Sequence, residues 1–304
     1  MNNICISVSA NHGEIMMRKI RVAIVPLAIC VALLSLTVSR GIAKELNSST
    51  QPDPTPKMPV LRSAAALVVD QDTGEFIIQK KANTVVPIAS ITKLMTAMVV
   101  LDADMDLEES ITIESKDLFG LRRRIRALLP AGTEITRREA LLLTLMSSDN
   151  RCARALGRTY PGGMEAFISA MNEKAQSLEL NETRFAEPTG LSSNNVSSAR
   201  DLVQLVDAAY RYDLIREFTT CKKTVIDAGQ HVREFYNTNR LVQNPGWNIG
   251  LSKTGFISAS GRCLVMQAEV AQRSLIIILL DSYGKLTRIG DANRIRQWLE
   301  QLSF

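Results

Sequence analysis

Residues 90–101 read Ser90-Ile-Thr-Lys-Leu-Met-Thr-Ala-Met-Val-Val-Leu101 and are apolar on nearly every side of a helix. A helix that is apolar all round is buried, so this segment predicts the central core helix of the fold, with Ser90 at its N-terminus. Residues three apart lie on one face of a helix, one turn apart, so Ser90 and Lys93 can meet directly. The segment therefore predicts a serine hydroxyl beside a lysine amine.

A serine hydroxyl is a poor nucleophile at neutral pH and needs a neighbouring group, usually an imidazole, to take its proton. The only histidines are His12 and His231, and no Gly-x-Ser-x-Gly motif occurs, which argues against a Ser-His-Asp hydrolase. Neither His-Glu-x-x-His nor Cys-x-x-Cys occurs, so we expect no metal and no other cofactor. Lysine is the base that remains. The pKa of Lys93 must then fall from about 10.4, through burial and a second positive charge for which Lys253 is the candidate.

A second motif, Ser148-Asp-Asn150, follows a leucine-rich helix predicted to begin at a capping box over residues 136–139. On the turn after that helix, the Ser148 hydroxyl would relay a proton to a leaving amine, and Asn150 would hold a substrate amide. Ser-x-Asn is weak by itself, because Ser192 and Ser193 begin such triplets too. The capped helix in front of Ser148 favours that copy.

A third motif, Lys253-Thr-Gly255, occurs once in the chain and lies on a predicted strand. The strand offers an edge with which a substrate can pair, and Gly255 allows close approach of the backbone. Lys253 offers positive charge, and Thr254 offers a hydroxyl to a substrate carboxylate. The N–H of Phe256, together with that of Ser90, is predicted to form an oxyanion hole.

Ser-x-x-Lys alone is also weak, since Ser282-Tyr-Gly-Lys285 matches it. That copy contains Gly284 and follows a predicted strand, so helical spacing is not expected there. The three motifs that begin at Ser90, Ser148 and Lys253 stand in an order typical of acyl-serine enzymes, each on the expected element.

The N-terminus has the composition of a secretory leader. Arg18, Lys19 and Arg21 precede an apolar run over residues 22–38, and Gly41-Ile-Ala43 supplies small residues where a signal peptidase reads. We expect residues 1–43 to be a signal peptide, with the true start at Met16 or Met17. The alternative is a permanent membrane anchor, for which the run is at the lower length limit. Residues 44–60 read as a proline-rich linker, and residues 61–304 as the catalytic domain.

Without the leader, three cysteines remain, Cys152, Cys221 and Cys263, and the sequence leaves open whether two of them form a disulfide. The formal net charge is +5. The basic residues Arg122, Arg123, Arg124 and Arg126 form a cluster that is more typical of a solvated face than of an anion site. No motif supports nucleic-acid binding.

Strand-like runs occur near both ends of the domain, with helical patterns between them. The strands are predicted at residues 64–70, 76–80, 248–256, 263–270 and 274–281. Helices are predicted at residues 90–101, 164–177, 202–209 and 289–302. This pattern predicts an α/β (α+β) fold, in which helices cover an antiparallel sheet built from both ends of the chain, plus a helical lobe.

Longer strings around the motifs are more specific than the triplets. They are Pro87-Ile-Ala-Ser-Ile-Thr-Lys-Leu-Met-Thr96, Met146-Ser-Ser-Asp-Asn-Arg151, Tyr160-Pro-Gly-Gly163, Glu187-Pro-Thr-Gly-Leu191, Ser198-Ala-Arg-Asp-Leu202 and Asn239-Arg-Leu-Val-Gln-Asn-Pro-Gly-Trp247. From about Leu61 onward the chain resembles the D-alanyl-D-alanine peptidases among the low-molecular-mass penicillin-binding proteins, most closely the endopeptidase type. The resemblance implies a β-lactamase-like fold, a Ser90 acyl-enzyme, covalent inhibition by β-lactams and a periplasmic location. It implies peptide cross-links of peptidoglycan as substrate.

Two differences between this sequence and related enzymes narrow the expected activity. Carboxypeptidase relatives typically add a β-rich domain and an amphipathic anchor, whereas this sequence stops at Phe304, so we expect the endopeptidase type, at most loosely associated with the membrane or with wall enzymes. A class A β-lactamase would carry Glu-x-x-Leu-Asn, but Ser177 stands where that Glu belongs, before Leu180-Asn181. Efficient β-lactam hydrolysis is therefore not expected.

Three functions remain open at the level of sequence. The first is hydrolysis of the D-alanyl to meso-diaminopimelate cross-link. The second is a DD-carboxypeptidase that removes terminal D-alanine with the same residues. The third is a catalytically weak peptidoglycan-binding partner that recruits other wall enzymes, which the complete motif set disfavours. The sequence does not decide the oligomeric state.

Overall fold

The computed structural model describes residues 57–120, 129–227 and 232–302. The predicted leader and most of the predicted linker lie outside the described residues. The basic cluster Arg122, Arg123, Arg124 and Arg126 also lies outside them.

The described chain alternates strands, helices and short 3₁₀ turns. The strands are β1 (Ser63–Asp70), β2 (Phe76–Lys80), β3 (Val86–Pro87), β4 (Ser110–Thr112), β5 (Glu134–Thr136), β6 (Val196–Ser197), β7 (Lys223–Asp227), β8 (Val232–Tyr236), β9 (Asn248–Ile257), β10 (Gly261–Val270) and β11 (Arg273–Ser282). The helices are α1 (Lys93–Asp102), α2 (Arg137–Met146), α3 (Asn150–Arg158), α4 (Gly163–Ser177), α5 (Ala199–Tyr210), α6 (Asp213–Thr220) and α7 (Thr287–Leu302). The 3₁₀ turns are Ala89–Thr92, Ser115–Leu118 and Arg240–Gln243.

The main sheet has the order β2-β1-β11-β10-β9, and all of its pairs are antiparallel. β1 and β2 come from one end of the domain and β9 to β11 from the other, which confirms the predicted sheet. The predicted strands agree with the observed ones to within two residues at each end. The edge strand β9 carries the Lys253 motif, so the predicted substrate edge is an edge of the sheet.

Two cores lie on opposite faces of this sheet. In β11, Ile276 and Ile278 face the helical lobe, whereas Ile277 and Leu279 pack on the side of α7. Side chains alternate between the faces of a strand, so a strand covered on both sides reads as a continuous apolar run. Full burial of one such side chain contributes about 2 kcal/mol.

α1 is the buried core helix that its sequence predicts. All of its residues from Lys93 to Val100 are buried, and it contacts α2, α4 and α5. Ser90 lies at the N-terminal end of this helical segment, as predicted, but its turn, Ala89–Thr92, is 3₁₀ and runs directly into α1. The chain bends into that turn at Ala89, whose φ is +48°. In a 3₁₀ turn residues i and i+3 eclipse each other, so the Ser90 to Lys93 spacing still brings the two side chains together.

The cap predicted at residues 136–139 is present. The Thr136 side chain accepts a hydrogen bond from the Glu139 N–H at 3.1 Å, and the Glu139 carboxylate accepts one from the Thr136 N–H at 2.9 Å. This box begins α2, and Ser148 follows shortly after the last residue of that helix.

Three cysteines lie in the described residues, Cys152, Cys221 and Cys263, and each is a buried free thiol, so no disulfide joins them. Within the described part of the chain, no helix combines the length and apolarity needed to cross a membrane.

Candidate active site

Ser90 and Lys93 meet as the first motif predicts. Lys93 Nζ lies 3.1 Å from Ser90 Oγ, and the lysine side chain is fully buried. Burial lowers the pKa of Lys93 to about 7, against the opposing effect of the Glu187 and Asp149 carboxylates, which raise it. A pKa in this range makes neutral amine available at neutral pH, and a neutral amine can accept a proton.

The other two partners of Lys93 determine where its lone pair points. Lys93 Nζ donates to Asn150 Oδ1 at 2.7 Å and to the carbonyl oxygen of Thr189. Both partners are oxygens without a proton, so each takes one N–H of the amine. A neutral amine has two N–H groups, and its lone pair is thereby left for the Ser90 hydroxyl.

The second motif lies beside the third. Ser148 Oγ is 3.0 Å from Lys253 Nζ, and Ser148 adopts a left-handed conformation with φ +61°. Such a conformation costs a non-glycine residue about 1–2 kcal/mol. Asp149 follows as the N-cap of α3 and also pairs with the buried Arg151 guanidinium. The strained turn places the Ser148 hydroxyl in the site, and the cap holds the turn there.

Lys253 is buried with its amine against Ser148, and it also donates to the carbonyl oxygen of Thr254 at 3.1 Å. Burial, followed by the positive charges of Lys93 and Arg288, lowers the pKa of Lys253 well below its ordinary value. The sequence predicts that burial and the charge of Lys253 lower the pKa of Lys93. Burial is indeed the largest cause, the repulsion between the two lysines appears in the lowered pKa of Lys253, and Arg154 is a further cation that lowers the pKa of Lys93.

Gly255 is required because β9 approaches closely the 3₁₀ turn Ala89–Thr92, which carries Ser90 and is called the nucleophile turn below. A Cβ at this position would lie 2.8 Å from the carbonyl oxygen of Ile88 and 3.2 Å from the Ser90 nitrogen. The close approach that the sequence predicted is therefore made to the protein's own backbone. It places the strand that carries Phe256 next to Ser90, as the predicted oxyanion hole needs. The Phe256 side chain is 53% exposed and stacks on the Arg262 guanidinium at 4.3 Å.

The Thr254 hydroxyl lies 2.7 Å from the Thr238 hydroxyl. A hydroxyl has one donor and two acceptor positions, so Thr254 can accept from Thr238 and still donate to a substrate carboxylate. Thr238 itself is held by its N–H, which donates to the Met146 carbonyl oxygen at 3.1 Å. The contact ties β9 to the end of α2.

The sequence prediction missed Arg288, a buried residue of α7. Its Nη1 donates to the carbonyl oxygens of Gly255 at 2.7 Å and Cys263 at 3.0 Å, which clamps β9 to β10 behind the motif. Burial and the charge of Arg262 lower the pKa of Arg288 to about 10. A single arginine in a C-terminal helix carries no sequence signal for this contact.

The sequence analysis also did not place the loop of residues 187–192 in the site, although its string Glu187-Pro-Thr-Gly-Leu191 was part of the family resemblance. Thr189 supplies the carbonyl oxygen that binds Lys93, and Gly190 packs on the nucleophile turn. The Glu187 carboxylate lies beneath both residues. The string Glu187-Pro-Thr-Gly-Leu191 was the available signal, but its spacing does not reveal contact with Lys93.

The rejected copies of the motifs lie in other environments. Ser282 Oγ is 2.7 Å from Ser63 Oγ, and Gly284 after it has φ +88°. Ser192 Oγ accepts from the Asn194 N–H within its own loop. Among the described residues no group of three or more His, Cys, Asp or Glu side chains could hold a metal ion.

A serine hydroxyl next to a buried lysine amine, in the turn before a core helix and beside an edge strand of an antiparallel sheet, is the arrangement expected of a serine hydrolase. The family model of the D-alanyl-D-alanine carboxypeptidases matches residues 52–284. The chain belongs to this family and is a serine-type DD-peptidase.

Relatives and solved structures agree with this assignment. A D-alanyl-D-alanine endopeptidase of Pseudomonas aeruginosa is 45% identical over 89% of this chain and 88% of its own length. A D-alanyl-D-alanine endopeptidase of Escherichia coli is 42% identical over 93% of this chain and 90% of its own. The crystal structure of a Streptomyces DD-transpeptidase superposes with a TM-score of 0.74, at 26% identity, over 80% of this chain and 98% of that one. A D-alanyl-D-alanine carboxypeptidase of Mycobacterium tuberculosis gives a TM-score of 0.73 at 25% identity, over 82% and 95%. The predicted β-lactamase-like fold is confirmed.

Proposed function

We propose that this protein is a DD-endopeptidase that hydrolyses the D-alanyl to meso-diaminopimelate cross-link of peptidoglycan through an acyl-enzyme on Ser90. The observation that carries the proposal is the buried Lys93 amine, with its N–H groups on two oxygens and Ser90 Oγ 3.1 Å away. A buried amine with a pKa of about 7 is suited to accept a proton at neutral pH.

In the acylation step, the Ser90 hydroxyl gives its proton to the lone pair of Lys93 and attacks the D-alanyl carbonyl carbon. The N–H groups of Ser90 and Phe256 stabilise the oxyanion that forms. When the tetrahedral intermediate collapses, the C–N bond breaks and the leaving amine takes up, through the Ser148 hydroxyl, the proton that Lys93 accepted from Ser90, which leaves Lys93 neutral again. Ser148 Oγ is held 3.0 Å from Lys253 Nζ. Water then hydrolyses the ester and restores the Ser90 hydroxyl.

Substrate binding is assigned to the edge of β9 and to Asn150. Asn150 Oδ1 is used by Lys93, so its Nδ2 amide is left for a substrate carbonyl. Lys253 and Thr254 bind the carboxylate beside the leaving amine, and Gly255 keeps the strand close to the nucleophile. β-Lactams acylate Ser90 in the same way and act as covalent inhibitors.

The endopeptidase assignment draws on the relatives at 45% and 42% identity, which are both named endopeptidases. A DD-carboxypeptidase would use the same residues, and a peptidoglycan-binding partner would need none of the chemistry. We further propose that the mature protein acts in the periplasm, where cross-linked peptidoglycan lies, after removal of the predicted leader and with at most a loose association with the membrane or with other wall enzymes.

Digestion of a mixed substrate distinguishes these functions. The mature protein is incubated with cross-linked muropeptide dimer and pentapeptide monomer, with a penicillin-blocked sample as the control, and the products are followed by mass spectrometry. We expect penicillin-sensitive loss of the dimer. Loss of only the terminal D-alanine would establish the carboxypeptidase, and no penicillin-sensitive change would favour the binding role.

The pH dependence of acylation tests the lysine base. Because only neutral Lys93 accepts the Ser90 proton, and its pKa is about 7, the rate should rise with pH and reach half of its plateau near pH 7. The measurement is the acylation rate by a fluorescent penicillin over about two pH units on either side of that value. Thermal unfolding at each pH is the control for stability. A rate that is flat or falls with pH would contradict Lys93 as the base.

A further inference from the structure

One carboxylate organises the loop that touches both the nucleophile turn and Lys93. The Glu187 side chain accepts five hydrogen bonds, from Thr189 N at 2.8 Å, Thr189 Oγ1 at 2.5 Å, Gly190 N at 2.6 Å, Ser192 N at 3.3 Å and Asn195 Nδ2 at 3.2 Å. Oε2 accepts the two from Thr189, and Oε1 accepts the other three. The backbone N–H groups of this loop therefore point toward the Glu187 carboxylate, which holds the loop in its conformation.

These contacts exclude one obvious role for Glu187. An ionised carboxylate offers about four lone-pair positions. Five donors already occupy the two oxygens, so neither is left to activate a water. Glu187 is therefore not placed to act as the general base that activates water for hydrolysis of the acyl-enzyme, even though it is an acidic residue close to Lys93.

The loop transmits the position of this carboxylate to the catalytic pair. The N–H of Thr189 is bound by Glu187, and the carbonyl oxygen of the same residue accepts from Lys93 Nζ. The next residue, Gly190, also bound by Glu187, packs directly on the backbone of Ala89. A displacement of the loop would move an acceptor of Lys93 and the support of the Ser90 turn together.

We propose that Glu187 is a positioning residue: it acts through the backbone of Thr189 and Gly190 to hold the Ser90–Lys93 pair in place. The proposal rests on the proposed function, in which neutral Lys93 takes the proton of Ser90. It adds that a carboxylate outside the three motifs fixes the direction of the Lys93 lone pair.

Charge gives Glu187 a second, separable effect on the same amine. Its carboxylate is the strongest of the charges that raise the pKa of Lys93 against burial. The other titratable or charged groups around Lys93 are Asp149, Cys152 and Arg154, which precede or lie on α3, and Lys253 on β9. Removal of the Glu187 charge should therefore lower the pKa of Lys93 further and move the acid limb of the pH–rate profile to lower pH.

Glu187→Gln tests both effects in one profile. The Gln side chain keeps the shape but places an NH₂ against N–H donors, so the loop loses part of its support. A misplacement of about 1 Å can cost about 100-fold in rate, and we expect the saturating acylation rate by a fluorescent penicillin to fall by about 10- to 100-fold. We expect the acid limb to move to lower pH and the affinity for penicillin to change little.

Two further variants keep the result interpretable. Glu187→Asp retains the charge on a shorter side chain. The acid limb of its pH–rate profile should therefore stay at the wild-type pH, while its saturating acylation rate falls. Glu182→Gln removes the same charge from an exposed residue earlier in the chain and should change neither quantity. A melting curve shows that each variant is folded.

The proposal is overturned if the Gln variant keeps the full wild-type saturating rate, wherever its acid limb lies; a limb that stays in place or moves to higher pH would refute the effect of the Glu187 charge on Lys93. It is also overturned if the Asp variant has the full wild-type rate, and this outcome decides the matter if the Gln variant does not fold. Wild-type protein that is not acylated at all would instead refute the proposed acyl-enzyme function, so the two failures are distinguishable.

Discussion

Ser90→Ala is expected to abolish covalent labelling by penicillin and hydrolysis of cross-linked muropeptides. The proposed acyl bond forms on Ser90 Oγ, and loss of a serine nucleophile costs on the order of 10⁶ in kcat in a well-studied serine hydrolase. The fold should survive, because the change removes one hydroxyl, whose net contribution is about 1 kcal/mol. Labelling is measured by gel fluorescence and mass spectrometry of the intact protein, and folding by a thermal melt.

The matched control is Ser282→Ala, in the second Ser-x-x-Lys copy of the chain. Ser282 Oγ is buried against Ser63 Oγ, on the last residue of β11, so this variant also loses one hydroxyl with a hydrogen bond. It should lose some stability and retain full labelling. Labelling that persists in Ser90→Ala, or disappears in Ser282→Ala, would refute the assignment of the nucleophile.

Local sequence patterns were sufficient to predict the helices that carry this site. The apolar composition of α1 predicted its burial, and the cap at Thr136 predicted where α2 begins. Both depend on residues within one or two turns of each other. The position of Ser90 in a 3₁₀ turn depends on the bend at Ala89, with φ +48°, and a non-glycine residue with positive φ has no reliable sequence signal.

Contacts between distant parts of the chain account for what was missed. Lys93 and the Thr189 carbonyl oxygen are 96 residues apart in sequence. Arg288 reaches Gly255 from 33 residues away. Their side-chain and carbonyl partners are set by tertiary packing, which the period of a helix or strand does not encode. The sequence predicts the lowered pKa of Lys93 and its main cause, burial, but not the Glu187 and Asp149 carboxylates or Arg154, which come together with Lys93 only in the fold.

Gly190→Ala is expected to disrupt the site from the opposite side of the nucleophile. The residue has φ +79°, and a Cβ there would lie 1.9 Å from the carbonyl oxygen of Ala89 and 2.7 Å from the Ser90 nitrogen. These atoms belong to the backbone, so no side chain can rotate away, and the loop must move off the turn. We expect a loss of at least about 3 kcal/mol in the free energy of unfolding. The acylation rate should fall by at least about 100-fold, because Thr189 moves with the loop and Lys93 loses its acceptor.

Gly74→Ala separates this steric effect from simple backbone strain. Gly74 also has a positive φ, +73°, but a Cβ there would meet nothing within 4 Å. Its replacement should cost only about 1 kcal/mol, the strain of a left-handed alanine, and leave acylation unchanged. Chemical denaturation and the acylation rate are measured for both variants. If Gly190→Ala is no more destabilised than Gly74→Ala and is acylated at the wild-type rate, the loop does not support the Ser90 turn. If it is strongly destabilised but still acylated normally, the contact stabilises the fold without positioning Lys93.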